Sequence, residues 1–313
     1  MREEKGDAAR DLRLMPCQAG GRSYYLDASA VRSVHRKEEW RLNWRSDSPL
    51  GWIRHRGEEV PILDLARALG IMHTIVADNA VLVDTEEGPK AWGVGGVGRV
   101  VVLPPERVLP IPESCRGESS PPWVGLVTGE GTQALCIAPQ SLGHPEPAFS
   151  TCRTWNEADG PKQLATGRAI LFHSFPCRQK TREIRFCLGF GQIAEFVTTP
   201  RLIPVPGARP WVAGLIVWRG RSIPVIDLHW GVAGKRAEPS ETEDYIVVRA
   251  NASGALLAAP ITGKPEAVDL PFPCEREEDA RLALPGWFRG SFQHEGQLIL
   301  TPDFGRILGP ERA

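Results

Sequence analysis

The chain has 313 residues, of which 42% are hydrophobic, and a formal net charge of −1. That length predicts about two domains of ~150 residues each, and the near-zero charge excludes the strong positive field of a general nucleic-acid-binding protein. Glycine (32) and proline (28) together account for 60 residues. Because they separate many short runs of valine and isoleucine, the composition predicts a β-rich protein with frequent turns.

The seven cysteines lack the spacing of a zinc or redox motif, because no two of them are separated by two to four residues. Their odd number predicts free thiols in a reducing compartment. The charged N-terminal sequence MREEKGDAARD has no apolar signal core, and the longest apolar run near it falls far short of the ~20 residues that cross a bilayer. We therefore expect a soluble cytosolic protein without direct membrane insertion.

The first predicted domain spans residues 11–143 and follows a polar tail at residues 1–10. Its central stretch is Gly51–Leu65, GWIRHRGEEVPILDL. Two runs rich in β-branched and apolar residues flank an Arg-Gly pair, which predicts a β-hairpin closed by a tight turn. Pro61 cannot donate to a sheet ladder, so it places the second arm at an edge or a strand end. Asp64 is predicted to accept backbone N–H bonds where the chain turns.

The glycine-rich stretch Gly93–Gly98 formally satisfies the G-x-G-x-x-G pattern of dinucleotide sites. Such a site needs a helix to begin there, whereas the following segment Arg99–Pro105 is typical of a strand stopped by prolines. We therefore expect a close strand crossing or a bulge at these glycines and no bound dinucleotide.

Regular patterning lapses after residue 143, and we assign residues 144–166 as a linker and residues 167–310 as a second domain. The second domain contains Gly214–Leu228, GLIVWRGRSIPVIDL, at a constant offset from the first unit (220 − 57 = 163). Seven of fifteen positions are identical without a gap: Gly51/Gly214, Ile53/Ile216, Arg56/Arg219, Gly57/Gly220, Pro61/Pro224, Asp64/Asp227 and Leu65/Leu228. The chain is therefore interpreted as two copies of one domain.

The repeated pattern, Gly-(apolar)-x-x-x-Arg-Gly-x-x-x-Pro-(Val/Ile)-x-Asp-Leu, resembles the signature of CheW-like domains, the coupling modules of bacterial chemotaxis arrays. The resemblance covers nearly the whole chain outside the tail and the linker. It implies a mainly all-β fold with two tandem CheW-like domains, each of them a pair of five-stranded SH3-like β-barrels packed over a shared apolar core.

The resemblance also implies a function in chemotaxis-type signal transduction. The chain is expected to be a non-enzymatic adaptor that couples a CheA-type histidine kinase to the cytoplasmic tips of chemoreceptors, or to a related sensory complex. Other CheW-like proteins are further expected partners. Two tandem copies joined by a linker would raise the effective concentration of their partners. No cofactor, metal or nucleic acid is expected.

The expected partner-binding residues lie in or near the two Arg-Gly turns: Glu195, Trp211, Arg219 and Gly220 in the second copy, and Arg56 and Gly57 in the first. An exposed guanidinium offers a planar donor fork to a protein partner; the other interpretation is that both arginines merely occupy turns. Trp211 follows a proline in a loop and is expected at an interface, whereas Trp218 is interpreted as a core residue.

The two copies differ at the position where the family has an acidic residue upstream of the turn. Glu195 matches the family there and is expected to pair with Arg219. The first copy has Ser33 instead, so Arg56 is expected to lack this partner. The second copy is therefore the better candidate for contacts typical of the family.

Two other functions stay open from the residues alone. A Cys/His-dependent enzyme would need one of the seven histidines beside a cysteine, but no motif selects a pair, and Cys187 alternates as a core strand residue does. A diverged small-molecule-binding β-barrel protein is the other alternative. No Walker loop is present, so the chain is not expected to be a kinase.

The linker assignment predicts the result of limited proteolysis. If residues 144–166 connect two independent domains, a protease at low concentration should cut there first and leave two resistant fragments, because exposed polar connections are cleaved before packed strands. Mass spectrometry of the fragments identifies the cleavage site. A single resistant core, or earlier cleavage elsewhere, would show that this assignment is wrong.

Overall fold

The structure is a computed structural model. It describes residues 11–43, 49–71, 77–117, 121–129, 132–142, 167–174, 178–179, 182–237, 244–250, 254–270, 275–276 and 285–308. The predicted tail and the predicted linker lie outside these residues, so their assignment stays a prediction. Within the described ranges, no helix combines the length and the apolar character that crossing a bilayer requires.

The chain divides into two compact units that correspond to the two predicted copies. The described residues before 143 belong to one unit and those after 166 to the other, apart from the short segments 112–115 and 205–208, which are assigned the opposite way. Both units are built mainly of β-strands, which confirms the predicted fold class.

The described part of the first copy contains several 3-10 turns, together with short strands and one short α-helix. In chain order they are β1 (Leu12–Ala19), β2 (Arg22–Asp27), β3 (Val31–Arg36), β4 (Arg41–Leu42), β5 (Gly51–His55), β6 (Glu58–Asp64), α1 (Leu65–Ala68), β7 (Asn79–Thr85), β8 (Gly88–Val94), β9 (Val101–Leu103), β10 (Val108–Leu109), β11 (Trp123–Gly129) and β12 (Thr132–Ile137).

These strands form two sheets, one nested within the other along the chain. The inner sheet has the order β3-β7-β8-β6-β5-β4, and the outer sheet has the order β10-β11-β12-β2-β1-β9. Each consists of five longer strands and one two-residue strand. A parallel pairing occurs in each sheet, between β6 and β8 and between β2 and β12. This arrangement matches the predicted pair of five-stranded barrels, with one short strand added to each.

The second copy repeats this plan with its own strands and helices. In chain order they are β13 (Gly167–His173), β14 (Arg178–Gln179), β15 (Arg182–Gly189), β16 (Ile193–Val197), β17 (Val212–Trp218), β18 (Arg221–Ile226), α2 (Leu228–Ala233), β19 (Asp244–Arg249), β20 (Leu256–Leu270), β21 (Glu275–Arg276), β22 (Phe288–His294), β23 (Gln297–Pro302) and α3 (Phe304–Leu308).

Strand β20 belongs to both sheets of the second copy. Its first part pairs with β19 and β18 in the inner sheet, which also contains β16 and β17, and its last part pairs with β13 in the outer sheet. In the first copy, β8 and β9 share this role and a glycine-rich segment separates them. Strands β22 and β23 form a hairpin, and its turn residues Glu295 and Gly296 have φ values of 50° and 75°.

The strand pairings show that the two inner sheets have equivalent cores. Ala91 lies opposite Leu82 and Ile62, and Ala258 lies opposite Val247 and Val225. Five buried apolar positions therefore correspond: Ile53/Ile216, Val60/Ile223, Ile62/Val225, Leu82/Val247 and Ala91/Ala258. Burial of each large aliphatic side chain contributes about 1.5–3 kcal/mol to folding. The equivalent cores confirm that the chain is an internal repeat.

Glycines allow close approach of the backbone at the start of each central hairpin and at the crossing after β8. A Cβ atom on Gly51 would lie 2.7 Å from the Arg41 carbonyl oxygen, and one on Gly214 would lie 2.5 Å from the Ile203 carbonyl oxygen. At the crossing, a Cβ atom on Gly98 would lie 2.6 Å from the Pro16 side chain. Strand β9, not a helix, follows the glycine-rich segment, as expected from the sequence.

The close approach at Gly214 predicts a stability difference between two glycine substitutions. Gly214→Ala should lower the free energy of unfolding by about 1–3 kcal/mol, because the added methyl group meets a backbone carbonyl that cannot move freely. Gly191→Ala is the matched control, since nothing lies within 4 Å of a Cβ atom there. Urea unfolding followed by circular dichroism measures both. Equal stability of the two variants would contradict the proposed role of Gly214.

Candidate functional site

The Arg-Gly turns are two-residue connections in which both residues have positive φ angles. These angles are 49° and 91° at Arg56 and Gly57, and 49° and 73° at Arg219 and Gly220. The flanking pairs close each hairpin directly beside the turn. This is the type I′ geometry, whose twist suits a β-hairpin. Glycine adopts it without strain, whereas arginine is a rare and unfavourable residue at its first position.

The recurring aspartates are caps, as the sequence predicted. Asp64 Oδ1 accepts hydrogen bonds from the backbone of Ala66 (2.9 Å) and Arg67 (3.4 Å). Asp227 accepts from the backbone of His229 and of Ala237, both at 2.9 Å. Burial raises the pKa of the Asp227 carboxyl, and these hydrogen bonds oppose that shift. Both aspartates therefore hold the chain after the second strand and are not free to contact a partner.

Each recurring proline pairs with one neighbouring strand only, so the hydrogen bond that its missing N–H would donate to a second strand is not needed. Pro61 pairs with Trp52 across the hairpin, and β6 begins to pair with β8 only at Ile62, one residue later. In the second copy, Pro224 likewise precedes Val225, which pairs with β20. Each proline therefore lies inside its strand, so the predicted position at an edge or a strand end is wrong; the sheet accommodates the proline because the strand is paired on only one side at that residue.

Six of the seven recurring residues are thus explained by the fold. The glycines allow close approach or positive φ, the isoleucines and leucines are buried, the prolines limit a ladder, and the aspartates are caps. Only the arginine combines an exposed side chain with a backbone conformation that disfavours its residue type. Its recurrence therefore has no explanation in folding and indicates a role for the side chain itself.

In the second copy, three side chains form a cluster at this turn. Glu195 Oε2 accepts a hydrogen bond from Trp218 Nε1 at 2.9 Å and forms an ion pair with an Arg219 guanidinium nitrogen at 2.8 Å. The guanidinium also lies over the Trp218 ring, 4.9 Å from its centroid. The Arg219 side chain is 69% exposed and the Glu195 side chain 38%. The predicted ion pair is therefore present, and its members can reach a partner.

Trp218 has a different place from the one predicted. Its ring packs beside the inner core but is only half-buried, and its indole N–H is bonded to Glu195. The sequence interpretation as a core residue is therefore incomplete. Trp211 is also half-buried and contacts the rings of Trp287 (5.7 Å, edge-on) and the guanidinium of Arg209 (5.6 Å). The structure places these groups, not Arg219, around Trp211.

The first copy has Ser33, His55 and Arg56 in the positions of Glu195, Trp218 and Arg219. Ser33 lies opposite Leu82 and Glu195 opposite the equivalent Val247, after the same irregularity in strand pairing. Ser33 Oγ is hydrogen-bonded to His35 Nε2 at 2.9 Å. Arg56 has no hydrogen bond or ion pair with any residue that the structure describes. As predicted, the first copy therefore has no acidic side chain at the position of Glu195.

A recess beside the second turn contains residues that the sequence interpretation missed. Its volume is about 390 Å³. It is lined by Ala194, Trp218, Arg219, Arg221, Arg249, Gly254 and Leu256. Arg221 and Arg249 belong to no motif, and only the strand register brings them to the turn. Alignment of the two copies by strand pairing would have found them.

The described cysteines are buried, and their chemistry is unfavourable for nucleophilic catalysis. Cys17, Cys115, Cys136 and Cys187 lie inside the protein and are not in disulfides, and Cys187 lies in the core, as predicted. Burial raises the pKa of the Cys17 and Cys136 thiols to about 12. A catalytic thiol instead needs a lowered pKa. The described residues contain no group of histidine, cysteine or acidic side chains arranged for a metal ion.

Comparison with known proteins gives one family match. The family model described as CheW-like domain matches residues 13–143 and again residues 179–312. No curated protein matches the sequence. Among solved structures, the crystal structure of scaffolding protein TtCheW from Thermoanaerobacter tengcongensis aligns with 44% of this chain and 99% of that one, at 16% identity and a TM-score of 0.35.

The turn geometry predicts different effects of asparagine in the two copies. Arg56→Asn should raise the free energy of unfolding by about 1 kcal/mol, because asparagine tolerates the left-handed conformation better. Arg219→Asn should change it less, since the loss of an exposed ion pair, about 0–1 kcal/mol, offsets that gain. Thermal and urea unfolding of the two variants measure the difference. Equal stabilisation would mean that the Glu195–Arg219 pair contributes nothing.

Proposed function

The chain belongs to the CheW-like domain family, and on this premise we propose that it is a non-enzymatic cytosolic adaptor of chemotaxis-type signalling. It couples a CheA-type histidine kinase to chemoreceptor tips or to a related sensory complex, and it binds protein partners through the ends of the central hairpins. The partner-binding residues are Arg219, Glu195 and Gly220 in the second copy, with Arg56 and Gly57 in the first. Trp211 belongs to a separate candidate contact in the second copy.

The observation that carries this proposal is the arginine that recurs in a backbone conformation unfavourable to it. Each such residue costs about 1 kcal/mol of stability. The fold gains little in return, because the side chain is exposed in both copies and only Arg219 has an ion pair, which contributes about 0–1 kcal/mol. A guanidinium held on a rigid two-residue turn is well suited to recognition, because less conformational freedom is lost on binding.

The second copy is proposed to supply the stronger contact. There the ion pair with Glu195 and the Trp218 ring hold the Arg219 guanidinium in place before a partner arrives. Arg56 has neither group beside it, since Ser33 and His55 stand at those positions. A preordered arginine loses less entropy on binding than a free one. The two copies therefore contribute unequally to a shared partner.

The buried thiols give no support to the alternative of a Cys/His-dependent enzyme. The high pKa of Cys17 and Cys136 keeps both thiols protonated at neutral pH. The shape of the recess beside Arg219 favours a protein contact over a small molecule, because it is shallow and basic and lies at an exposed turn.

The proposal predicts which proteins the chain captures. The tagged full-length protein should recover a sensory kinase, a chemoreceptor or another coupling protein from the native cytosol, identified by mass spectrometry. Arg219→Ala should weaken binding of the recovered partner by about 2 kcal/mol, roughly thirtyfold, and Arg56→Ala should weaken it less. Isothermal titration with the purified partner measures both affinities.

Melting curves of the two alanine variants are the folding control, and both should lie close to that of the unmodified protein. Recovery of no signalling protein, under conditions where a known coupling protein recovers them, would contradict the adaptor function. Equal losses of affinity at both arginines would contradict the asymmetry. Unchanged affinity in both variants would remove the turn arginines from the interface.

A further inference from the structure

The recess beside the second turn is strongly basic. Arg219, Arg221 and Arg249 line it, and Glu195 is the acid that faces them. The local charge is therefore +3 − 1 = +2. Ala194 and Leu256 supply apolar surface between the guanidinium groups. The combination suits a ligand that presents a carboxylate beside an apolar group.

Two of the three arginines keep donors available for such a ligand. Arg221 is exposed and has no hydrogen-bonding partner in the part of the chain that the structure describes. Arg249 uses one guanidinium nitrogen in a hydrogen bond to the Ile193 carbonyl oxygen at 3.3 Å, and its side chain is exposed. Arg219 is already paired with Glu195. A second carboxylate would therefore be bound mainly by Arg221 and Arg249, with Trp218 and Leu256 beside it.

The first copy has opposite charges at the same two positions. Arg221 pairs with Trp218 next to the turn, and the equivalent pair in the first copy is Glu58 with His55. Arg249 pairs with Leu256, and the equivalent pair is Asp84 with Pro89. Both arginines of the second copy are thus replaced by acids in the first.

The replaced positions leave the first turn without a basic recess. Arg56, Glu58 and Asp84 sum to +1 − 2 = −1, and Arg32, which forms an ion pair with Asp84, brings the local charge to 0. A carboxylate approaching this turn would therefore meet no net positive charge, in contrast to the local charge of +2 in the second copy. The same backbone therefore presents a surface that attracts acidic groups in one copy and one that does not in the other.

We infer that the recess of the second copy binds an acidic segment of a partner protein, with a glutamate or aspartate side chain between Arg221 and Arg249 and an adjacent apolar side chain on Leu256. The equivalent surface of the first copy has no net positive charge and does not bind that segment. This inference rests on the proposed adaptor function and specifies the partner chemistry of its second copy. The two copies thus present unlike surfaces.

The test uses the full chain and a defined probe. The probe is a fluorescein-labelled peptide, Gly-Glu-Leu-Glu-Leu-Glu-Gly with blocked ends, and its matched control has glutamine in place of every glutamate. Fluorescence anisotropy should show binding of the glutamate peptide that is about tenfold or more tighter than binding of the glutamine peptide, and that weakens as salt is raised. Inorganic phosphate at equal ionic strength distinguishes a peptide site from a site for any small anion.

Charge-exchange variants locate the site. Arg221→Glu with Arg249→Asp gives the second copy the residues of the first, and it should weaken binding of the glutamate peptide about tenfold or more. Lys235→Glu with Lys264→Glu makes the same change in net charge at exposed positions outside the recess and should leave affinity unchanged. Glu58→Arg with Asp84→Arg should create a second binding equivalent in the first copy. Circular dichroism shows whether each variant is folded.

Several outcomes would overturn the inference. They are equal binding of the glutamate and glutamine peptides, equal loss in the recess and control variants, and displacement of the peptide by phosphate alone at matched ionic strength. Absence of peptide binding, together with capture of a signalling partner from the cytosol, would refute the acidic ligand and leave the adaptor function standing. Peptide binding without any captured signalling protein would refute the adaptor function and leave the acidic ligand standing.

Discussion

The two-residue turn of each central hairpin sets the register on which both the core and the candidate site depend. Because side chains alternate across a strand, a slip of one residue would move Ile216 and Ile223 from the core to solvent. Positive φ at both turn residues gives the hairpin the twist that its curled sheet requires. The same turn places Arg219 over Trp218 and beside Glu195. Core packing and surface geometry therefore have one common origin.

Comparison of the two copies distinguishes positions that the backbone conformation constrains from exposed positions that are available to a partner. Positions with a backbone role, such as Gly51 and Gly214 or Asp64 and Asp227, are the same in both copies. Exposed positions around the turn differ, even in the sign of their charge. One scaffold can in this way carry two surfaces without loss of stability, because surface substitutions away from caps and cores change stability little. The recurring arginine is the exception, since it is at the surface and yet the same.

Much of the fold could be predicted from the sequence because the hairpin uses residues with strong local preferences. Glycine at the turn and aspartate before a helical turn each leave a local signal, whereas the recurring proline lies inside its strand and not at the predicted strand end. The expected crossing at Gly93–Gly98 follows from the same kind of reasoning and is confirmed by the close contact at Gly98. The acidic partner of Arg219 could be predicted through the family resemblance.

The rest depended on pairings between distant strands, which leave no local signal. The offset between the copies is 163 at the hairpin, 165 at β7 and β19 (247 − 82) and 167 at β8 and β20 (258 − 91), because the connections before β19 and before β20 are each longer. Arg249 could not be placed beside the turn without that register. Trp218 looked like a core residue because its apolar ring lies in an apolar strand, and only its hydrogen bond to Glu195 distinguishes it.

The nesting of the sheets also bears on the order of folding. The inner sheet of the first copy needs only residues 31–94, whereas β2 must wait for β12, with Tyr24 and Leu135 separated by 111 positions (135 − 24). Since long loops close at a higher entropic cost than short ones, the inner sheet is complete on a growing chain before the outer sheet can close around it. The turn proposed to bind a partner is thus formed while its own domain is still being synthesised.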